Sequence, residues 1–206
     1  DLVASLSITG DPLDSESVKL TNFDPHGESR ILEAIITANS TLNAEAARRA
    51  VEEMTKTERD HLLATYVGER GNRRHRPGRA FEATDYRFEL VTDYGAFRDL
   101  QRHRLLTVEW QPLTVDLGYD VPDVIVDAGL RDPFEESLGR SATLYQEIRG
   151  DFPEQAQYAV ALAFRIRYTM QMNAREAMHL IELRSGPQGH PSYRRVAHEM
   201  VRQIGD

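Results

Sequence analysis

The run Ile166-Arg-Tyr-Thr-Met-Gln-Met-Asn173-Ala-Arg175-Glu-Ala-Met-His179-Leu-Ile-Glu-Leu-Arg184 decides how the C-terminal half of the chain is read. It contains neither glycine nor proline, and on that ground Ile166–Leu183 reads as one continuous helix. In a helix Arg175 and His179, four apart, share a face. Asn173 and Arg184, three turns apart, return to nearly one azimuth, roughly 16 Å apart along the axis. A ligand of nucleotide size spans that distance. The plainer reading of the same spacing is an amphipathic helix with Ala174, Met178 and Ile181 toward the core and the polar residues in water. Met170, Met172 and Met178 read as core side chains rather than cofactor contacts.

Working outward, the nearest chemically distinctive segment is Arg102-His103-Arg104, followed at once by apolar residues. Further upstream lie Arg70, Arg73, Arg74, His75, Arg76 and Arg79. These clusters reverse the sign of a chain whose formal charge is -8. Guanidinium groups grip phosphate or carboxylate in a bidentate way and keep their charge at every physiological pH, so a phosphorylated cofactor or nucleotide satisfies both clusters. Alternatively, the arginines pair with the 33 acidic residues on a solvated face.

The remaining elements follow from periodicity and punctuation. Val18, Leu20 and Asn22 alternate with polar neighbours up to Asp24-Pro25, a short strand. Ser29–Asn39 and Asn43–Met54 carry helical spacing, and Thr57 with Asp60 caps a third helix through Val67. Arg70–Arg79, with Gly71, Pro77 and Gly78, reads as a loop. Tyr86, Phe88 and Leu90 mark a half-buried strand, Tyr94–Arg104 a helix, and Leu105–Trp110 an extended segment stopped near Pro112. Asp132-Pro133 opens a helix to about Gly150, another follows Pro153, and Pro191 opens a last one to Ile204. Residues 1–17 read as a lead-in segment or linker, and 18–206 as one domain.

Composition narrows the function. The absence of cysteine excludes disulfides, thiolate metal sites and any cysteine nucleophile. Net acidity argues against a general nucleic-acid binder, and an RNA module built on the Arg70–Arg79 loop lacks interleaved aromatic residues. No apolar run approaches the roughly 20 residues needed to cross a bilayer, and no secretory signal is visible. The expectation is a cytoplasmic protein without membrane or nucleic-acid partners and without a metal site. The first residue, Asp1, suggests an excised domain or a processed start.

The combination of segments resembles the flavin-dependent thymidylate synthases. Arg102-His103-Arg104 is similar to the opening of their R-H-R-x-x-S-x-N-E-x-S-x-R-Y signature, and Asn173–Arg184 to their N-A-R-x-x-x-H-x-x-x-L-R segment. Phe81-Glu82 matches an upstream F-E pair, and Glu154 and Ala156 an E-x-A-R run. The resemblance implies an α+β fold, a small, mostly antiparallel sheet flanked by several helices. It also implies reductive methylation of dUMP to dTMP, with FAD as cofactor and NADPH and methylenetetrahydrofolate as co-substrates, without an enzyme cysteine. By the resemblance Arg102, His103 and Arg104 contact FAD and the folate, and Asn173, Arg175 and His179 hold the flavin. Arg184, the catalytic candidate, sits against the pyrimidine of dUMP or a related uracil nucleotide, with Arg102 as a second substrate contact. A homo-oligomer, tetramer or dimer, with shared sites is implied.

The signature is incomplete. Thr107 stands for its serine, Glu109 for Asn, Trp110 for Glu, Pro112 for Ser, Thr114 for Arg and Val115 for Tyr. Gln157 stands where another arginine belongs, and Gln188–Tyr193 replaces an H-A-Q-W-E-I-like run. Pro77 falls where the family often has a histidine near the flavin, and Ala83 replaces the one after F-E, so His75 or Arg79 is expected to take that part. The alternative function is therefore a non-catalytic homologous domain that pairs with an active copy and contributes structure or half a site.

Overall fold

The computed structural model describes residues 17–205, so the lead-in segment proposed for residues 1–17 lies, except for Ser17, outside the described residues. Its centre is an antiparallel sheet of four strands in the order β1-β2-β4-β3. These are β1 (Val18–Phe23), β2 (Asp85–Asp93), β3 (Leu106–Trp110) and β4 (Arg165–Asn173). Eight α-helices surround it among the described residues: α1 (Gly27–Asn39), α2 (Ala44–Glu53), α3 (Lys56–Val67), α4 (Tyr94–Leu100), α5 (Asp123–Asp127), α6 (Arg131–Ile148), α7 (Ala174–Arg184) and α8 (Pro191–Gly205). This is the expected α+β architecture.

The deciding run is not one helix. Residues 165–173 form β4, and only from Ala174 does the chain turn helical. The physical cause is a period of two: Ile166, Tyr168, Met170 and Met172 are buried, while Gln171 between the methionines is exposed. Lack of glycine and proline permits a strand as readily as a helix, and methionine's helix propensity is overridden by nine-residue pairing with β2. Phe88 faces Met170 and Leu90 faces Tyr168 across that pair, and all four are at most 1% exposed. Against this apolar face pack Phe97 and Leu100 of α4, Ala177 and Leu180 of α7, and Val196 and Met200 of α8. The core side of α7 is thus Ala174, Ala177 and Leu180, with Met178 and Ile181 only partly covered.

Other boundaries shift for local reasons. α3 is capped by Thr55 with Glu58 in a reciprocal capping box, two residues earlier than Thr57 and Asp60. α4 is capped by Asp93, whose carboxylate accepts from Ala96 N at 2.7 Å, and it stops at Leu100 instead of Arg104. Arg102–Arg104 therefore lies in the turn into β3. Asp132 sits in the first turn of α6 rather than at its cap, and the segment after Pro153 forms only a 3-10 turn, Gln155–Ala159. α5 had no periodic signal, being five residues long.

Candidate anion-binding site

The strand-to-helix junction positions the site. Asn173 keeps extended backbone (φ -73°, ψ 164°), and its side chain accepts from Glu176 N at 2.9 Å, which starts α7. The first turns of α7 then present Asn173, Arg175, Glu176 and His179 to a cavity of about 400 Å³, whose other walls include Arg76, Arg79, Glu82 and Leu105. Arg175 donates to the Pro77 carbonyl at 2.9 Å and to Glu82 at 3.2 Å. Arg79 approaches the same carboxylate at 3.0 Å and is largely exposed. The Arg79 hydrogen bond, aided by Arg175, holds the Glu82 carboxyl below its ordinary range. One carboxylate thus gathers two guanidinium groups at a helix N-terminus, an arrangement suited to an anion that competes for them.

Behind this wall lies a buried polar chain. Glu176 and His103 are 4% and 7% exposed. The carboxylate meets His103 Nδ1 at 2.9 Å and His179 Nδ1 at 3.2 Å, and the two imidazole rings stand edge to face at 5.3 Å. Burial pushes the Glu176 carboxyl up, but the hydrogen bonds from the two histidines together outweigh it and hold the group below its ordinary range. Arg184 Nε lies 3.2 Å from His103 Nε2, its guanidinium is 3.7 Å from Asp99 and stacks over Tyr193 at 5.3 Å. Asp99 and Tyr193 in turn line a cleft of about 920 Å³ between α4, the 120–124 segment and the start of α8.

The sequence-predicted residues divide accordingly. Arg79, Asn173, Arg175 and His179 share the cavity. His103 lies behind Glu176 and His179 and does not line it, and Arg184 lies one step further in, with its side chain 14% exposed. Asn173 and Arg184 stand at opposite ends of α7, but they do not line one site, because Arg184 turns back toward α4. Arg102 is exposed in the turn, 3.6 Å from Asp99, and Arg104 is exposed beside it. Arg70 forms a bidentate pair with Glu182 at 2.7 and 2.8 Å, so part of the first arginine cluster is structural. Gln157 also has a structural task, accepting from Leu113 N at 2.8 Å. Trp110 is 57% exposed and tilts against Phe97 at 5.6 Å. Sequence reasoning missed Glu176, and it noted Glu82 only as part of the Phe81-Glu82 pair, not as the partner of Arg79 and Arg175. Glu176 carried one signal, its place three residues before His179 on a helix.

The sequence profile of the thymidylate synthase complementing protein family matches residues 19–206. A UPF0159 protein of Chlamydia muridarum is 37% identical over 194 residues, covering 94% of this chain and 37% of its own length. A UPF0159 protein of Thermoplasma acidophilum is 40% identical over 156 residues, 75% of this chain and 31% of that protein. The chain thus spans about a third of the length of the curated relatives it matches. Among solved structures, a UMP/dUMP methylase PolB from Streptomyces cacaoi, bound with 5-Br dUMP, superposes with a TM-score of 0.71 at 17% identity, covering 94% of this chain and 92% of that one. At that identity the likeness concerns the fold.

Proposed function

Because the chain belongs to the thymidylate synthase complementing protein family, we propose that it serves the reductive methylation of a uracil nucleotide, dUMP to dTMP, with FAD, NADPH and methylenetetrahydrofolate. The observation that carries this reading is the cavity in which Arg76, Arg79 and Arg175 converge beside the N-terminus of α7. Its donor chemistry fits the phosphate-bearing part of FAD. Arg175, anchored by Pro77 and Glu82, is the oriented donor, and the more exposed Arg79 can exchange its pairing with Glu82 for the anion. FAD, when bound, supplies the hydride of this chemistry. Arg184, with Arg102 beside Asp99, is the candidate for the uracil ring. A fixed guanidinium there favours the ionised imide and so enriches the adjacent ring carbon that takes up the one-carbon unit. Folate contacts fall to Arg102 and Arg104, and a second subunit would complete a shared site.

Titration of the full-length protein with FAD, with and without dUMP, tests the reading. FAD binding that Arg175→Ala weakens by about tenfold supports it, charge-assisted contacts being worth roughly 1.5–3 kcal/mol. Wild-type protein that binds neither compound overturns it. A second reading, a non-catalytic domain that pairs with an active copy, is favoured by Glu109, Trp110, Thr114, Val115 and Gln157 in place of the family's expected residues. It predicts methyl transfer only when an intact copy is present.

A further inference from the structure

We propose that Glu176 is a positioning residue that holds Arg184 in place through His103. This rests on the reading above in that Arg184 is taken to act on the uracil ring. A guanidinium nitrogen only donates, so the 3.2 Å contact from Arg184 Nε makes His103 Nε2 an acceptor. The ring's proton then sits on Nδ1, 2.9 Å from the Glu176 oxygen that accepts it. The other carboxylate oxygen accepts from His179 Nδ1 at 3.2 Å. Donation runs in one direction, from Arg184 to His103 to Glu176. The same direction decides against a cation here. The ligand atoms of His103, Glu176 and His179 all lie within 4.8 Å of one another, but His103 Nδ1 has no lone pair to offer while Arg184 occupies Nε2.

Burial makes the carboxylate decisive. His103 is buried, so an Nδ1 proton without its carboxylate acceptor is costly to leave unpaired. Remove the carboxylate, and the Nδ1–H that Arg184 favours loses its acceptor, so the form protonated at Nε2 gains. The tautomer protonated at Nε2 then points its N–H at the Arg184 N–H, donor against donor, and displaces the guanidinium. Because Glu176 also holds His179 on the cavity wall, one carboxylate sets both the cavity and Arg184.

A glutamine at this position yields a sharper expectation. Its amide has one accepting and one donating end. The Arg184 donor at Nε2 together with an acceptor at Nδ1 keeps His103 as the Nδ1–H tautomer, so the amide oxygen turns to His103 and the NH2 to His179. Nδ1 of His179 must then accept, and its proton moves to Nε2.

The test is two-bond ¹H–¹⁵N spectroscopy of the full-length protein labelled at histidine, on wild type, Glu176→Gln and Glu176→Ala, with a dUMP titration of each. In wild type both His103 and His179 are expected to carry the proton on Nδ1. In Glu176→Gln, His103 stays as it was and His179 changes tautomer. In Glu176→Ala, His103 leaves the Nδ1–H form and dUMP affinity falls about tenfold, a loss that Glu176→Gln largely recovers. A wild-type His103 protonated at Nε2 overturns the inference whatever the ligand, and so does an unchanged His103 in Glu176→Ala. If the alanine variant does not fold, the unequal response of the two histidines in Glu176→Gln decides by itself. Should wild type fail to bind dUMP while the tautomers behave as stated, the functional reading fails and the positioning of Arg184 stands.

Discussion

Two carboxylates govern the basic groups around the cavity, and they do so differently. Glu82 is partly exposed and competes with any incoming anion for Arg79 and Arg175. Glu82→Gln removes that competition, so FAD affinity measured by fluorescence is expected to rise by about two- to threefold, the modest gain typical of a solvent-screened pair. Glu176 is buried, and its role is visible in stability. Its folded-state carboxyl lies below the ordinary value of 4.5, so its contribution is fully present above that value and is lost as pH falls through the folded one. Urea midpoints are therefore expected to hold steady from neutrality down to about pH 5 and to drop below it. Other arginine-paired carboxylates add to that drop, Glu199 among them with its carboxyl down to about 2. The Glu176 share is the difference from Glu176→Gln, whose profile should be flatter; identical profiles would sink the claim. Glu82 stood out in the sequence only as part of the Phe81-Glu82 pair and Glu176 not at all, because an acidic residue three positions from a histidine is common and only packing makes it exclusive.

At the scale of elements, the sequence announced most helices but misplaced several ends. The α3 cap illustrates the cause: Thr55 and Glu58 compete with Thr57 and Asp60 at the same spacing, and the chain adopts the pair that closes reciprocally. Thr55→Ala is expected to lower stability by about 1 kcal/mol in urea unfolding and to leave FAD affinity unchanged, since α3 stands outside the cavity wall. The larger misreading, Ile166–Asn173, is of another kind. Short apolar runs do not distinguish strand from buried helix by periodicity alone, and the alternation of Ile166, Tyr168, Met170 and Met172 gains its meaning only from the partner strands. The correction matters for function, since it moves Asn173 from the middle of a helix to the cap that aims α7 at the cavity.

For the whole molecule, β2 and β4 are the common support of α4, α7 and α8, and so of Arg184, His103 and the cavity at once. Phe88, fully buried opposite Met170, is the central contact. Phe88→Ala is expected to cost about 3–5 kcal/mol and to weaken FAD binding as well, read by thermal unfolding with and without FAD. A ligand-induced stabilisation equal to wild type would show that the sheet does not hold the site. The amino-acid sequence by itself determined the family resemblance, with the fold class that it implies, and the basic residues at the cavity, because charge sign, residue type and motif order are properties of the string. Only the tertiary structure decided that residues 165–173 form a strand, that Arg70 is tied to Glu182, and that Glu176 joins His103, His179 and, through His103, Arg184. The Glu176–His103, Arg184–His103 and Arg70–Glu182 contacts join residues 73 to 112 positions apart, strand pairing is likewise long-range, and no local pattern specifies which distant group a side chain will meet.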